Sequence, residues 1–235
     1  MRVDNRTPNQ LRPITIEPNY MKYAEGSALI VWGQTKIVCT ASWEPKVPPW
    51  LMGTGQGWIT AEYAMLPRSS AQRIQRDINK GKQAPRSVEI QRLIGRAIRS
   101  VIDMEALGQN TITIDCDVIQ ADGGTRVASI VGGFVATVLA LKSLNMKKMP
   151  ITRYLGAVSL GIVDNEPYLD LCYEEDSRAQ ADMNLVMDSQ GRLSEIQATA
   201  EISTFSMETF QKLMELGKEG IEKVIDIERQ VLGSL

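Results

Sequence analysis

The chain has 235 residues, with 26 Lys and Arg against 28 Asp and Glu (formal net charge -2), and is 43% hydrophobic and 23% charged. Those proportions belong to a folded globular protein and exclude disorder, a fibrous repeat and a disulfide scaffold. Histidine is absent, which excludes a Ser-His-Asp triad, a His-paired cysteine nucleophile and every His-ligated metal site, so proton transfer falls to carboxylates, Lys, Tyr or solvent.

The opening MRVDNRTPNQLRPITIEP sets charges and prolines where a signal peptide needs an apolar core, and no later apolar run reaches the length of a membrane span. No membrane and a cytoplasmic location are expected. Short strands at Ala28 to Ile30 and Lys36 to Thr40 are joined by the turn-like WGQT, and a third follows at GWITAEYAML. Between Arg68 and Arg99 nine Lys and Arg stand against only Asp77 and Glu89, so basic charge is concentrated there, as an anion-binding face or a solvated helix face. Within that stretch apolar residues recur at Ile90, Leu93, Ile94, Ala97, Ile98, Val101 and Ile102, the spacing of a helix with one buried face.

From Thr111 to Ile119 the pattern alternates, with Ile112, Ile114, Cys116 and Val118 on one face and Thr113, Asp115 and Asp117 on the other, as in a half-buried strand. The turn DGGTR follows, then Val127 to Leu144, apolar nearly all round, with Gly132, Gly133 and Ala136 small enough for close packing of a buried helix. Further strands are predicted at Leu155 to Val163, Tyr168 to Tyr173, Met183 to Met187 and Leu193 to Ala200, and Ser206 to Val231 closes the chain as an amphipathic helix. Each half, about 1–108 and 109–235, reads as strands followed by a helix, and without a linker between them one domain over 1–235 is expected. Cys39, Cys116 and Cys172 lie far apart in apolar stretches without metal-ligand spacing and read as buried free thiols.

Three segments could carry chemistry. In ADGGTR, between a strand and a buried helix, Gly123 and Gly124 would let the backbone approach an oxyanion at the helix start, Thr125 offers a hydroxyl and Arg126 a planar fork for two phosphate oxygens. The turn lacks the Gly-Lys-Ser/Thr ending of a nucleotide loop and the GxGxxG dinucleotide pattern. Upstream, Arg86 falls at the N-terminal end of a helix after Pro85, where a cation is disfavoured by the helix dipole unless an anion is bound. Asp176 and Asp182 flank YEEDSRAQADMN, read as a hairpin loop, and can come together as a pair suited to Mg²⁺ or to protonating a departing oxygen. Each has a plainer reading: a simple turn, an exposed arginine, an acidic solvated loop. Arg68, Arg73 and Arg76 either reach for RNA phosphates from a loop or pair across a subunit contact.

Taken in order, the blocks GSALIVWGQTKIVCTAS, GQGWITAEYAMLP, GKQAPRSVEIQRLIGRAIR, TIDCDVIQADGGTR and EDSRAQADMNLVM resemble the ribonuclease PH family over most of the chain. The resemblance implies an α+β fold of pseudo-duplicated mixed β-sheets flanked by helices and a homo-hexameric ring built as a trimer of dimers. It also implies phosphorolytic 3′-to-5′ trimming of tRNA precursors and other RNA 3′ ends, with inorganic phosphate as co-substrate, nucleoside diphosphates as products, and reversal to nucleotide addition. By position in the blocks, Arg86, Gly124, Thr125 and Arg126 fall where the family holds the attacking phosphate, Asp176 and Asp182 at its catalytic acidic pair, and Arg68, Arg73 and Arg76 at its RNA-contacting loop. The sequence departs from the pattern at Pro85 and Ser87, at Val127, and in ATAEISTFS, where Ile202 and Thr204 replace Gly and Pro. The alternative is a non-catalytic RNA-binding ring subunit of an exosome-like complex.

Overall fold

The computed structural model describes residues 2–146 and 148–235, apart from the side chains of Ile78 and Lys80. The strands are β1 (Ile14–Pro18), β2 (Gly26–Trp32), β3 (Thr35–Glu44), β4 (Trp58–Met65), β5 (Thr111–Gln120), β6 (Leu155–Val163), β7 (Glu166–Leu169), β8 (Ala181–Asp188) and β9 (Leu193–Ala200). The helices are α1 (Pro85–Arg99), α2 (Met104–Leu107), α3 (Thr125–Ser143), α4 (Tyr173–Asp176) and α5 (Met207–Leu232). The first sheet has the order β1-β2-β3-β5-β4 and is mixed, since β4 runs parallel to β5 while the other neighbours are antiparallel. The second, β7-β6-β8-β9, is antiparallel throughout.

β5 behaves as its alternation predicts: Ile112, Ile114, Cys116 and Val118 are all but fully buried. It joins the first sheet, although it lies beyond the boundary near residue 108 drawn from the order of elements. Its neighbour α3 is buried on every side, against β2 and β3 of one sheet and β6 of the other. Small residues make that possible: a Cβ on Gly132 would lie 2.7 Å from Cys39 Sγ, and one on Gly26 2.1 Å from the Ala136 carbonyl oxygen. By length and composition α3 could cross a membrane, 19 residues at mean hydropathy 1.4, contrary to the expectation that no run would qualify; 83% of its most apolar window is buried inside the protein. Around α3 one hydrophobic cluster unites residues from both sheets, α1 and α5. The three cysteines are free and buried, as read from the sequence.

Two expectations need correction. The strand predicted at Tyr168 to Tyr173 stops at Leu169, because Asp170 takes a left-handed backbone conformation (φ 58°) and the chain turns into the single helical turn α4. Nor is the segment from Tyr173 to Asn184 a hairpin loop: β7 and β8 lie on opposite sides of β6, so the chain crosses over one strand. β1 passed unnoticed in the sequence, being five residues that end in proline.

Candidate active site

The ADGGTR turn is fixed from below. Thr35 Oγ1 donates to the Gly123 carbonyl (2.7 Å) and accepts from the Asp122 N–H (2.9 Å). Gly123 and Gly124 have φ of 76° and 69°, and a Cβ on Gly123 would sit 2.5 Å from the Leu171 carbonyl oxygen. Only glycine lets the turn lie against the segment that carries Asp176. Gly124 precedes the first turn of α3 and no side chain caps it, so the unpaired N–H groups of that turn and the positive end of the helix dipole are left for an anion. Thr125 is positioned by Tyr63, whose buried hydroxyl donates to Thr125 Oγ1 at 3.1 Å. Burial raises the pKa of that tyrosine, which keeps it a neutral donor.

Arg126 is pinned on one side, its Nη2 donating to Glu89 Oε2 at 2.6 Å while Gln197 Nε2 donates to Glu89 Oε1 at 3.0 Å. Burial works against the ionisation of Glu89, but the hydrogen bonds from Gln197 and Arg126 overcome it and hold the carboxyl below the usual carboxylate range. Arg86, in the first turn of α1, is exposed and has no ion-pair partner among the described residues. Opposite stand Asp176, at the end of α4, and Asp182, near the start of β8. Burial raises the pKa of Asp176, with Arg86 and Arg126 pulling the other way; burial, then the Asp176 charge, raises that of Asp182.

Arg86, Gly124, Thr125, Arg126, Asp176 and Asp182 therefore line one cleft of about 520 Å³, together with Ser159, Asn184 and Glu201. Buried Arg126 Nε, Ser159 Oγ and Asp182 Oδ1 have no hydrogen-bond partner among the described residues, and each unpaired buried polar group costs free energy until a ligand or water satisfies it. Among the described residues no three His, Cys, Asp or Glu are grouped to hold a metal. Two carboxylates with the side-chain oxygens of Asn184 and Ser159 suit a hard cation that keeps much of its water, as Mg²⁺ does.

Arg68, Arg73 and Arg76 do not join the cleft; they are exposed on the segment between β4 and α1 and have no ion-pair partner among the described residues. Glu89, Tyr63, Ser159, Asn184 and Glu201 are not among the site residues expected from the sequence. Two had a signal: Glu89 lies three residues after Arg86 on the same helix, and Asn184 two after Asp182 on the same strand face. Tyr63 and Ser159 come from strands distant in sequence and had none.

Residues 10–145 match the 3′ exoribonuclease family, domain 1, and residues 154–220 the same family's domain 2. The whole chain is 52% identical to ribonuclease PH of Moorella thermoacetica, of which it covers 96%. Among solved structures the fold is similar to rice (Oryza sativa) Rrp46, with a TM-score of 0.81 at 20% identity over 98% of this chain and 100% of that one. It is also similar to the Archaeoglobus fulgidus exosome with RNA bound to the active site, with a TM-score of 0.81 at 21% identity over 96% and 91% of the two chains. With its whole length matched at that identity and both parts of the family pattern in order, the chain belongs to the ribonuclease PH family of 3′ exoribonucleases.

Proposed function

We infer that this protein shortens RNA from its 3′ end by phosphorolysis, using inorganic phosphate and releasing nucleoside diphosphates, and that it trims tRNA precursors and other RNA 3′ ends. The observation that carries the reading is the single cleft that sets two arginines and an open helix N-terminus against a carboxylate pair. Arg86, Arg126 and the Gly124–Arg126 backbone hold orthophosphate. One of its oxygens bonds to the phosphorus of the last phosphodiester, the bond from that phosphorus to the 3′ oxygen breaks, and the 3′ oxygen leaves with a proton from solvent. Positioning and charge stabilisation supply most of the rate. The reaction runs backwards as nucleotide addition because the bond made and the bond broken are similar in energy.

Asp176 and Asp182 would hold Mg²⁺, with unpaired Asp182 Oδ1 as the observation in favour. When bound, the ion supplies positive charge to the phosphate oxygens and the leaving oxygen. The exposed Arg68, Arg73 and Arg76 give RNA phosphates a point of contact outside the cleft. Residues 1–235 act as one unit, its two sheets sharing the core around α3, and six copies assemble as a ring of three dimers in the cytoplasm. A non-catalytic RNA-binding ring subunit would have no use for the complete set of phosphate and acidic groups found in this cleft.

The test is digestion of an RNA with a single-stranded 3′ end in Mg²⁺, with and without added phosphate. Phosphate-dependent release of diphosphates is expected. Monophosphates released without phosphate would show a hydrolase, and RNA binding without release would show the ring subunit.

A further inference from the structure

One buried ionic cluster has no part in the chemistry above. Arg2 presents its guanidinium to Glu175 as a fork, Nε to Oε1 at 2.8 Å and Nη2 to Oε2 at 2.7 Å, and also donates to the carbonyls of Leu169 and Asp170, both at 2.8 Å. Arg12 grips Asp170 through Nη2 at 2.7 Å, its backbone N–H at 2.7 Å and Nε at 3.1 and 3.2 Å, and donates to the Asp122 carbonyl in the phosphate turn. Trp32 Nε1 donates to Asp170 Oδ2 at 2.9 Å. Arg2 and Arg12 are 3% and 5% exposed, and Asp170 and Glu175 not at all.

We propose that residues 2–12 form a strap that positions the acidic side of the cleft, with Arg2 acting as a positioning residue for Asp176 through Glu175, and Arg12 with Asp170 joining that side to the phosphate turn. The inference rests on the reading of the cleft given above. Asp176 ends a helix of four residues, too short to hold its shape by its own hydrogen bonds. Its neighbour Glu175 turns inward to Arg2 and accepts from the Cys172 N–H at 3.2 Å, while Asp176 lines the cleft. The direction of Asp176 is thus set by where Glu175 is held.

Asp170, three residues before α4, keeps a left-handed backbone (φ 58°), a conformation that persists only where the surroundings over-determine it. The contacts from Arg12 and Trp32 do so. Buried ion pairs are poor devices for stability alone, since apolar groups of the same shape often serve as well. Their paired hydrogen bonds fix direction, which a catalytic carboxylate needs.

The experiment compares wild type with Arg2→Gln, Arg2→Lys, Asp176→Asn and Arg2→Gln/Asp176→Asn in phosphorolysis, together with amide hydrogen exchange over residues 173–182. Expected for Arg2→Gln is a loss of kcat on the order of 10- to 100-fold with KM for phosphate nearly unchanged, partial recovery in Arg2→Lys, and faster exchange in α4 than in the wild type. On the Asp176→Asn background, Arg2→Gln should cost little further. If Arg2→Gln does not fold, Arg2→Lys keeps the charge without the fork and must still show a loss of kcat, smaller in size, at constant KM. An unchanged kcat in a folded variant, an equal loss on the Asp176→Asn background, or unchanged exchange in α4 would each overturn the proposal. An inactive wild type would overturn the phosphorolytic reading instead, and the exchange data would still decide whether the strap holds α4.

Discussion

Arg126 gives one N–H to Glu89, and its buried Nε has no partner among the described residues. The residue is half fixed by the protein and half reserved, the arrangement expected of a side chain that completes its hydrogen bonds on an anion. Arg126→Ala should lower phosphate-dependent release of diphosphates about 100- to 1,000-fold, the range for losing one transition-state donor, with the thermal midpoint little changed. Normal phosphorolysis by that variant would remove Arg126 from the site. Asp182 makes the complementary case. A carboxyl whose pKa is raised on folding binds its proton more tightly in the folded state, so its stabilising contribution is present at low pH and is lost as pH rises through the folded value. In EDTA the ionised form of Asp182 is disfavoured by burial and then by the Asp176 charge and works against the fold. Asp182→Asn should therefore melt higher than wild type in EDTA, roughly 2–4 °C for each kcal/mol relieved. Added Mg²⁺ should raise the melting temperature of the wild type and not of the variant; equal shifts in both would rule out Asp182 as a ligand.

At the scale of elements, the strand-turn-helix unit β5, DGGTR and α3 joins fold to function. Its strand and helix were legible because each has a strong period: two-residue alternation along Thr111 to Ile119, and a continuous apolar run packed on glycines afterwards. The elements that were not legible are short and held by tertiary contacts. β1 has five residues, and α4 has four, closed by the Cys172 N–H to Glu175 hydrogen bond and the Arg2 fork rather than by helix propensity. The close approach of α3 to β2 predicts that Gly26→Ala, whose new Cβ would lie 2.1 Å from the Ala136 carbonyl oxygen, destabilises the protein by about 1–3 kcal/mol in urea unfolding. A variant as stable as wild type would show that α3 can shift freely in its groove.

For the whole molecule, the arginines between β4 and α1 separate two expectations that the sequence left open. Replacing Arg68, Arg73 and Arg76 together by Gln, with sedimentation and RNA-binding measurements on the same sample, should weaken RNA binding and flatten its salt dependence while the proposed ring stays whole. Dissociation of the ring with unchanged affinity per subunit would assign them to a subunit contact instead.

The sequence by itself determined the chemistry available, because that depends on residue type and local order: no histidine, a glycine turn ahead of a buried helix, an arginine at a helix start, two aspartates six residues apart. It also determined the long periodic elements, whose apolar faces are set by spacing alone. Only the tertiary structure decided that Arg86, Arg126, Asp176 and Asp182 share one cleft, that β5 belongs with the first sheet, and that Arg2 and Arg12 of the charged opening segment are buried against Glu175 and Asp170. Each of these rests on contacts between residues far apart in the chain, such as Arg2 and Glu175 or Tyr63 and Thr125. Periodicity reports which face a residue takes on its own element, while the partner of that face is set by how the two sheets close on α3.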